Sequence, residues 1–290
     1  MQVLSCKSYV IMVHSVTNIR GEEETRVRMK RASQRRKFGL LLGVLVVLVL
    51  AVFTVLYQRS TSEAVTMVKY IPEPRVPILM YHSISPGTDL RVSPEDFDAQ
   101  MKWLQEHGYK PITLGQLGRH WDGTYDVTGG KPLVITFDDG YLDNYTAAWP
   151  ILQKYHFPAT IFVITDSIKL DNHMKWGQMQ EMHAGGVEFG SHMVYHSNFT
   201  LTPQDQIASE LQASKKTLEQ GLSSPVTTFC YPGGGLIPEA AGLVRQAGYT
   251  MAVTTHHGLA SAVEDHVLLS RVRVVGGVTI EEFANMLQTL

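Results

Sequence analysis

The stretch Leu133–Gly140, which reads LVITFDDG, decides the fold prediction because an apolar run ends abruptly in two acids and a glycine. A short apolar run bounded by a turn signal is typical of a buried strand. Successive side chains of a strand point to opposite faces, so Asp138 and Asp139 can take different tasks where the strand ends. One acid can hold a metal ion while its neighbour handles protons.

A second transition of the same kind, from the apolar run Val187–Phe189 to a glycine, precedes two histidines. These are His192 and His196, four positions apart in the sequence SHMVYH. A carboxylate with two imidazoles suits a catalytic zinc or a similar divalent ion that keeps open positions. Each signal is weak alone, since Asp-Gly turns are common and single histidines are often exposed. Together they predict a metal site.

Short apolar runs alternate with amphipathic segments from Val76 onward. We predict strands at 78–81, 133–137, 160–164, 187–189, 227–231, 251–254 and 268–274. We predict helices at 94–107, 142–155, 177–183, 203–222, 238–247 and 280–287. This alternation predicts a parallel sheet, and the number of repeats favours a barrel over an open sheet. The acids, the histidines and the loop after the fifth strand all fall at carboxyl ends of strands, where such barrels carry their chemistry.

An apolar, uncharged run at Phe38–Tyr57 has the length of a membrane-spanning helix. Basic residues cluster before it, so the positive-inside rule leaves the N-terminus in the cytoplasm. No small-residue cleavage site follows, which favours an uncleaved anchor over a removed signal peptide. We therefore expect a basic cytoplasmic tail at 1–37, a transmembrane anchor at 38–57, an extracytoplasmic linker at 58–75 and a catalytic domain at 76–290. Met29 is a second candidate for the translation start.

The composition argues against several other classes of protein. The 290 residues are 44% hydrophobic and 18% charged, with a net charge of −2, so a nucleic-acid partner is not expected. The two cysteines, Cys6 and Cys230, lie on opposite sides of the predicted membrane span. No disulfide is expected, and no protein partner is predicted.

The region from Val76 to Leu290 resembles the polysaccharide deacetylases, the carbohydrate esterase family 4 or NodB-homology domain, whose first two motifs appear as TFDDG and SHMVYH. The resemblance implies a distorted (β/α)7–8 barrel and a divalent metal, usually zinc, with Co²⁺ or Ni²⁺ as alternatives. It also implies hydrolysis of N-acetyl groups from aminosugar polymers. By position, Asp138 would be the general base, and the metal ligands would be Asp139, His192 and His196.

The opening strand ends in MYH, with His82 as its histidine. This resembles the branch of the family that acts on poly-N-acetylglucosamine, in which the barrel order is permuted and the acid histidine comes first. An acid is needed because the departing sugar amine must be protonated. The resemblance therefore implies His82 as the general acid. The alternative is a histidine that only bonds to a loop carbonyl.

Two departures from the family pattern concern the base. The third motif usually reads Arg-x-Pro-Tyr, whereas Cys230–Gly233 reads CYPG and lacks the arginine, and the later Leu-x-His motif is absent. Both absences are shared by the branch with the MYH opening. They suggest that Arg271 or Arg273 on the last strand pairs with Asp138, and Arg271 is the favoured one. The alternative for either arginine is a solvent-facing strand residue. The compact spacing of the two histidines instead resembles peptidoglycan and chitin deacetylases, so the branch stays open.

Two further features are candidate substrate contacts. The loop of Tyr231, Pro232, Gly233 and Gly234 can supply backbone N–H donors to the oxyanion, because glycines let the backbone approach closely. The alternative is a plain turn. Trp176 can form part of a sugar-stacking wall, and the alternative is an ordinary packing role.

The leading hypothesis is a membrane-anchored metallohydrolase that releases acetate from an extracytoplasmic N-acetylglucosamine polymer, such as poly-N-acetylglucosamine, peptidoglycan or a chitin-like glycan. A non-catalytic glycan-binding relative is one alternative, but a pure binder needs no base beside a metal. An O-acetyl esterase acting on xylan is another, which keeps the metal chemistry and changes the substrate.

Overall fold

The computed structural model describes residues 26, 28–31, 34–37, 39–58 and 75–287, and the chain divides into two compact units, Met1–Pro72 and Glu73–Leu290. The first unit contains helix α1, Arg28–Gln58, with 31 residues and a mean hydropathy of 3.0 in its most apolar stretch. In the described part of the chain it is the one helix long and apolar enough to cross a membrane. Most of the predicted linker, and Cys6, lie outside the described residues.

The second unit alternates strands and helices as the sequence predicts. The described strands are β1 (Ile78–Tyr81), β2 (Ser83–Ile84), β3 (Arg91–Val92), β4 (Tyr109–Ile112), β5 (Lys131–Phe137), β6 (Thr160–Val163), β7 (Glu188–Ser191), β8 (Thr228–Cys230), β9 (Met251–His257) and β10 (Leu269–Arg273). The described helices are α2 (Pro94–Glu106), α3 (Leu114–Trp121), α4 (Trp149–Tyr155), α5 (Trp176–Ala184), α6 (Gln204–Leu222), α7 (Ala240–Gln246) and α8 (Ile280–Met286).

Seven of the described strands close into a parallel barrel in the order β1, β10, β9, β8, β7, β6, β5 and back to β1. The closing seam pairs Ile78 with Val134 and Tyr81 with Phe137. β1 pairs with β10, so the first strand of the chain lies beside the last, and the other neighbours in the barrel follow one another in the chain apart from the short elements between β1 and β5. The predicted barrel is therefore confirmed, in its seven-stranded form. Its interior is filled by buried apolar side chains such as Ile78, Phe162 and Val253, which leaves the rim for chemistry.

Strand β4 and helix α3 were missed by the sequence analysis. β4 pairs with the first half of β5, from Tyr109 opposite Lys131 to Ile112 opposite Val134. It therefore adds a strand to the sheet at the amino-terminal half of β5, up to the residue at which pairing with β1 begins. It contains Pro111, and a proline argues against a strand in sequence analysis. The proline is tolerated here because β4 is an edge strand, with β5 as its only pairing partner among the described strands. The start of α3 did carry a signal, the capping box of Thr113 and Gln116.

The helix predicted at 142–155 is two elements in the structure. A π-helical turn, Asn144–Ala148, leads into α4. Pro150 explains the change of winding, because it has no N–H to donate to the carbonyl four residues earlier. Such turns often occur at functional sites, and this one follows directly after the two acids at the end of β5.

Candidate active site

Asp138 and Arg271 form a buried ion pair at the carboxyl end of the barrel. Nη1 and Nη2 of Arg271, on β10, donate to Oδ1 and Oδ2 of Asp138, each over 2.8 Å. Burial alone would raise the pKa of Asp138, but the charge and hydrogen bonds of Arg271 outweigh it and hold that pKa well below its ordinary value. Arg273 is exposed. The arginine that faces Asp138 is therefore Arg271.

All five N–H groups of Arg271 have acceptors. Besides Asp138, the guanidinium donates from Nε to the Thr254 carbonyl at 2.8 Å, from Nη1 to Thr136 Oγ1 at 3.0 Å and from Nη2 to Cys230 Sγ at 3.2 Å. Arg271 is 0% exposed, and its donors are all satisfied. Because its partners belong to or follow β5, β8 and β9, the side chain fixes four strands together and has one orientation.

His82 lies beside the same carboxylate. It follows β1, its Nε2 is 3.8 Å from Asp138 Oδ2, and its side chain is 12% exposed. Its other ring nitrogen, Nδ1, is buried with no hydrogen-bond partner among the described residues. The imidazole thus faces the carboxylate with one nitrogen at the rim of the barrel.

Asp139 faces a different pair of groups from its neighbour in the chain. Its Oδ1 is 3.5 Å from His192 Nε2 and 3.8 Å from His196 Nε2. The ligand atoms of the three residues all lie within 4.8 Å of one another. We call Asp139, His192 and His196 the triad. His192 is buried, whereas the His196 side chain is 43% exposed, so the triad opens toward solvent on one side.

The triad fits a divalent cation in its protonation as well as its spacing. His192 Nδ1 is 2.8 Å from the Cys230 carbonyl oxygen, which can only accept, so Nδ1 carries the hydrogen. Burial lowers the pKa of His192, against the opposing charges of Asp138 and Asp139, which favours the neutral ring. Its Nε2 therefore presents a lone pair toward the Asp139 carboxylate, as a metal ligand requires.

Three residues of the triad region have left-handed backbones. The φ angles are 75° at Asp139, 67° at Met193 and 59° at His196. Asp and His tolerate this region better than most residues, and Met does so less well. Such conformations persist where the surroundings over-determine them, and they cluster at functional sites.

Glu210 on α6 holds the loop of His192–His196 in that conformation. Its carboxylate accepts from the Tyr195 amide at 3.3 Å, from Ser197 Oγ at 2.8 and 2.9 Å, and from Gln206 Nε2 at 2.9 Å. Glu210 is 5% exposed. Sequence analysis did not identify this role, because a glutamate on an amphipathic helix normally faces water.

Asp143 and Asn144 fix the loop that carries His82. Asp143 accepts from Ser83 Oγ at 2.5 Å and from the Ile84 amide at 3.1 Å. Asn144 Nδ2 donates to the His82 carbonyl at 2.8 Å. Asp143 and Asn144 thus hold the chain at the histidine and at the two residues that follow it. Sequence analysis missed this pair, which closely follows the two acids in the chain.

The Tyr231–Gly234 loop can offer fewer donors than predicted. The Tyr231 amide donates to the Val253 carbonyl at 3.2 Å, Gly234 donates to the Tyr231 carbonyl at 3.3 Å, and Pro232 has no N–H. The Tyr231 ring is fully buried in the core. Gly233, with a φ of 61°, has the one N–H of this loop without an acceptor among the described residues. Gly233 is therefore the residue of this loop best placed to donate to an oxyanion, and the oxyanion role of Tyr231–Gly234 stays a prediction.

Trp176 has a packing role in the structure. It begins α5 and packs against the outer core of the domain, with its ring lying over Gly221 of α6 so closely that a Cβ there would collide with it. The ring therefore has the packing role given as the alternative, and a sugar-stacking role for Trp176 stays a prediction. Tyr195, the residue before His196, is 63% exposed.

Comparison with known proteins agrees with this geometry. The sequence profile of the family described as Polysaccharide deacetylase matches residues 126–252. A putative polysaccharide deacetylase of Bacillus subtilis (strain 168), YxkH, is 38% identical over 235 residues, which cover 80% of this chain and 83% of that protein. The chain belongs to the polysaccharide deacetylase family. His82 and Arg271 of this deacetylase lie outside the range that the profile matches.

Two further relatives resemble this deacetylase. The poly-beta-1,6-N-acetyl-D-glucosamine N-deacetylase of Staphylococcus aureus (strain MRSA252) is 29% identical over 175 residues, which cover 54% of this chain and 58% of that enzyme. The Streptococcus pyogenes deacetylase PplD, solved in complex with acetate, has a TM-score of 0.70 and 28% identity, over 74% of this chain and 99% of that one. The second unit, Glu73–Leu290, thus has the fold of a polysaccharide deacetylase.

Proposed function

We propose that this deacetylase is a metal-dependent hydrolase that removes N-acetyl groups from an N-acetylglucosamine polymer and releases acetate. One observation carries the proposal. The triad converges within 4.8 Å directly beside the carboxylate of Asp138, which Arg271 holds ionised. A binding protein would need no such base next to a cation site.

The triad would hold the metal through one carboxylate oxygen of Asp139 and the Nε2 atoms of His192 and His196. Two imidazoles and one carboxylate suit Zn²⁺ best, and Co²⁺ or Ni²⁺ can take the same ligands. When bound, such an ion supplies a Lewis acid for the water and for the acetamide carbonyl.

Asp138 acts as the general base. Arg271 keeps it ionised at neutral pH, and its two oxygens have lone pairs left after the two bonds from the guanidinium. The carboxylate takes a proton from the attacking water as the carbon–oxygen bond forms. Because Arg271 has one orientation, the carboxylate is held in one plane and does not reorganise during the step.

His82 acts as the general acid. Its Nε2 lies 3.8 Å from Asp138 Oδ2, on the side of the barrel where β1 ends. It gives its proton to the sugar nitrogen as the carbon–nitrogen bond breaks, so the amine leaves neutral. The N–H of Gly233 donates to the oxygen that becomes negative in between.

The polymer is assigned from the relatives and from the MYH opening at His82. The Staphylococcus aureus relative is named for poly-beta-1,6-N-acetyl-D-glucosamine, and poly-N-acetylglucosamine is therefore the first substrate to test. We assign α1 as the anchor, with the N-terminus in the cytoplasm and the catalytic unit outside, on the basis of its length, its hydropathy of 3.0 and the basic residues before it. The domain limits 1–37, 38–57, 58–75 and 76–290 follow from this assignment.

Acetate release by the purified full chain tests the activity. The substrates are poly-N-acetylglucosamine, peptidoglycan, chitin oligomers and acetyl-xylan, each with and without a chelator. We expect acetate from an N-acetylglucosamine polymer, loss of the activity with the chelator, and recovery on adding Zn²⁺. Release that the chelator does not change would overturn the metal dependence, and a preference for acetyl-xylan would overturn the substrate class. Protease digestion of intact cells tests the topology, since an external catalytic unit is degraded.

A further inference from the structure

The site contains a second set of ligand atoms that overlaps the triad. Asp138, His192 and Cys230 also offer atoms that lie within 4.8 Å of one another, and all three residues are buried. His192 belongs to both sets. A carboxylate, an imidazole and a thiolate form a softer set than the triad, one that zinc, cobalt and cadmium all accept. A cation could therefore choose between two sites that cannot both use the same imidazole nitrogen.

Arg271 stands among the atoms of this second set. It donates to both oxygens of Asp138 and to Cys230 Sγ, at 2.8, 2.8 and 3.2 Å. A guanidinium is always charged, and two positive charges at contact distance in a buried site repel strongly. Its N–H groups also engage one lone pair on each Asp138 oxygen and the sulfur of Cys230. No comparable cation contacts the ligand atoms of the triad among the described residues.

We propose that Arg271 is a positioning residue for the metal. Its guanidinium takes the place of a cation between Asp138 and Cys230 and so confines the ion to Asp139, His192 and His196. This inference rests on the proposed metal dependence. It assigns Arg271 a role beyond orienting the base: without the guanidinium, Asp138 would become a ligand and could no longer accept a proton from water.

Cobalt spectroscopy of the detergent-solubilised full chain tests the proposal. All variants carry Cys6→Ser, so that Cys230 is the one thiol, and Co²⁺ is the probe. A coordinating thiol is deprotonated outright, and a cobalt–thiolate bond gives an intense near-ultraviolet charge-transfer band. We expect no such band in the parent, its appearance in Arg271→Gln and its loss in Arg271→Gln combined with Cys230→Ala. Arg271→Lys should match the parent, because it keeps the charge.

The outcomes separate this inference from the proposed function. A thiolate band in the parent, or Co²⁺ bound by Arg271→Gln without the band, would overturn the inference. An Arg271→Gln variant that folds and binds no Co²⁺ would also overturn the inference. A parent that binds no Co²⁺ would instead overturn the proposed function. The presence or absence of the band in Arg271→Gln would still decide whether Arg271 keeps a cation away from Cys230.

A second measurement applies if Arg271→Gln does not fold. The parent is titrated with excess Cd²⁺, a thiophilic ion, and its ultraviolet spectrum is compared with that of Cys230→Ala. We expect the two spectra to agree, because Arg271 keeps cadmium away from the sulfur. A sulfur-to-cadmium band present in the parent and lost in Cys230→Ala would overturn the inference.

Discussion

Asp138 and Arg271 form a two-pronged ion pair inside the barrel, with both N–O distances at 2.8 Å. The carboxylate next to it in the chain, Asp139, faces the imidazoles of His192 and His196 at 3.5 and 3.8 Å. The two adjacent acids therefore have different surroundings, one beside a permanent cation and one beside two imidazoles. This division of surroundings gives each acid a separate task.

Replacing the base should stop turnover and leave the metal in place. For Asp138→Asn we expect kcat to fall by about 10²–10⁴-fold, the usual contribution of a general base. Acetate release gives kcat, and elemental analysis of the purified protein gives metal content. Asp139→Asn is the matched control, since it makes the same change at a ligand and should lose the metal. Equal metal loss in the two variants would refute the separation of tasks.

Removing a ligand should reduce metal binding itself. His192→Ala takes one of the three ligand atoms from the triad, so we expect the bound metal to fall to background and activity to go with it. The control is Tyr195→Ala, which truncates an exposed side chain in the same loop and should keep its metal. His192→Ala that retained stoichiometric metal would contradict the triad as the binding site.

The role of His82 as general acid can be tested with two substrates that differ in their leaving group. His82→Ala should slow hydrolysis of an N-acetyl substrate far more than hydrolysis of an activated acetate ester, whose leaving group needs no proton. The ratio of the two kcat/KM values measures the effect, and His107→Ala, which changes an exposed histidine of the outer surface, serves as control. If both substrates slowed equally, His82 would not be the acid.

Glu210 should control metal affinity without touching the metal. Its carboxylate holds Tyr195 and Ser197, and outer partners of metal ligands typically contribute 10–100-fold in affinity or activity. We expect Glu210→Gln to weaken Zn²⁺ binding by roughly that factor, measured by competition with a chromogenic chelator. Asp205→Asn makes the same loss of charge at an exposed position of α6 and should bind normally. Unchanged affinity in Glu210→Gln would exclude this role.

Stability should depend on pH through Glu188 at the start of β7. It accepts from the Gly115 amide at 3.0 Å and from Thr160 Oγ1 at 2.8 Å, and burial raises its pKa above the ordinary 4.5 in spite of these bonds. The folded chain thus keeps this proton to higher pH than the unfolded chain. Its stabilising contribution is full below the ordinary pKa and is lost as pH rises through the folded pKa.

Glu188→Gln should remove that dependence. Relative to the variant, the free energy of unfolding of the native chain should fall as the pH rises above the ordinary pKa of 4.5. Urea unfolding at a series of pH values measures the difference. Glu106→Gln, which changes an exposed glutamate of α2, is the control and should follow the native curve. A difference that rises with pH would contradict the assignment.

Much of the fold could be predicted from local patterns. The apolar runs that became β1, β5, β6 and β10 were readable because each is bounded by turn residues and packs into a buried sheet. β4 escaped because it has four residues, includes Pro111, and is defined by its pairing with β5 rather than by its own pattern. A short edge element has no periodicity to detect.

Some site residues could likewise be predicted from local patterns, whereas others could not. The sequence by itself determined the acids after β5 and the two histidines after β7, since parallel strands bring their carboxyl ends to one rim whatever their separation in the chain. Only the tertiary structure decided that Trp176 packs between helices and that Glu210 holds the loop of His192–His196. Those roles depend on how helices lie against the barrel, which no local window contains.

The choice between Arg271 and Arg273 shows most directly what sequence analysis cannot determine. The two are two positions apart on one strand, so the period-two pattern assigns them the same face. Which one reaches the depth of Asp138 depends on the stagger of β10 against its neighbours, where Val272 stands opposite Leu79. Strand stagger is fixed by closure of the whole barrel, and this is why the sequence alone could name the carboxylate but not determine its partner.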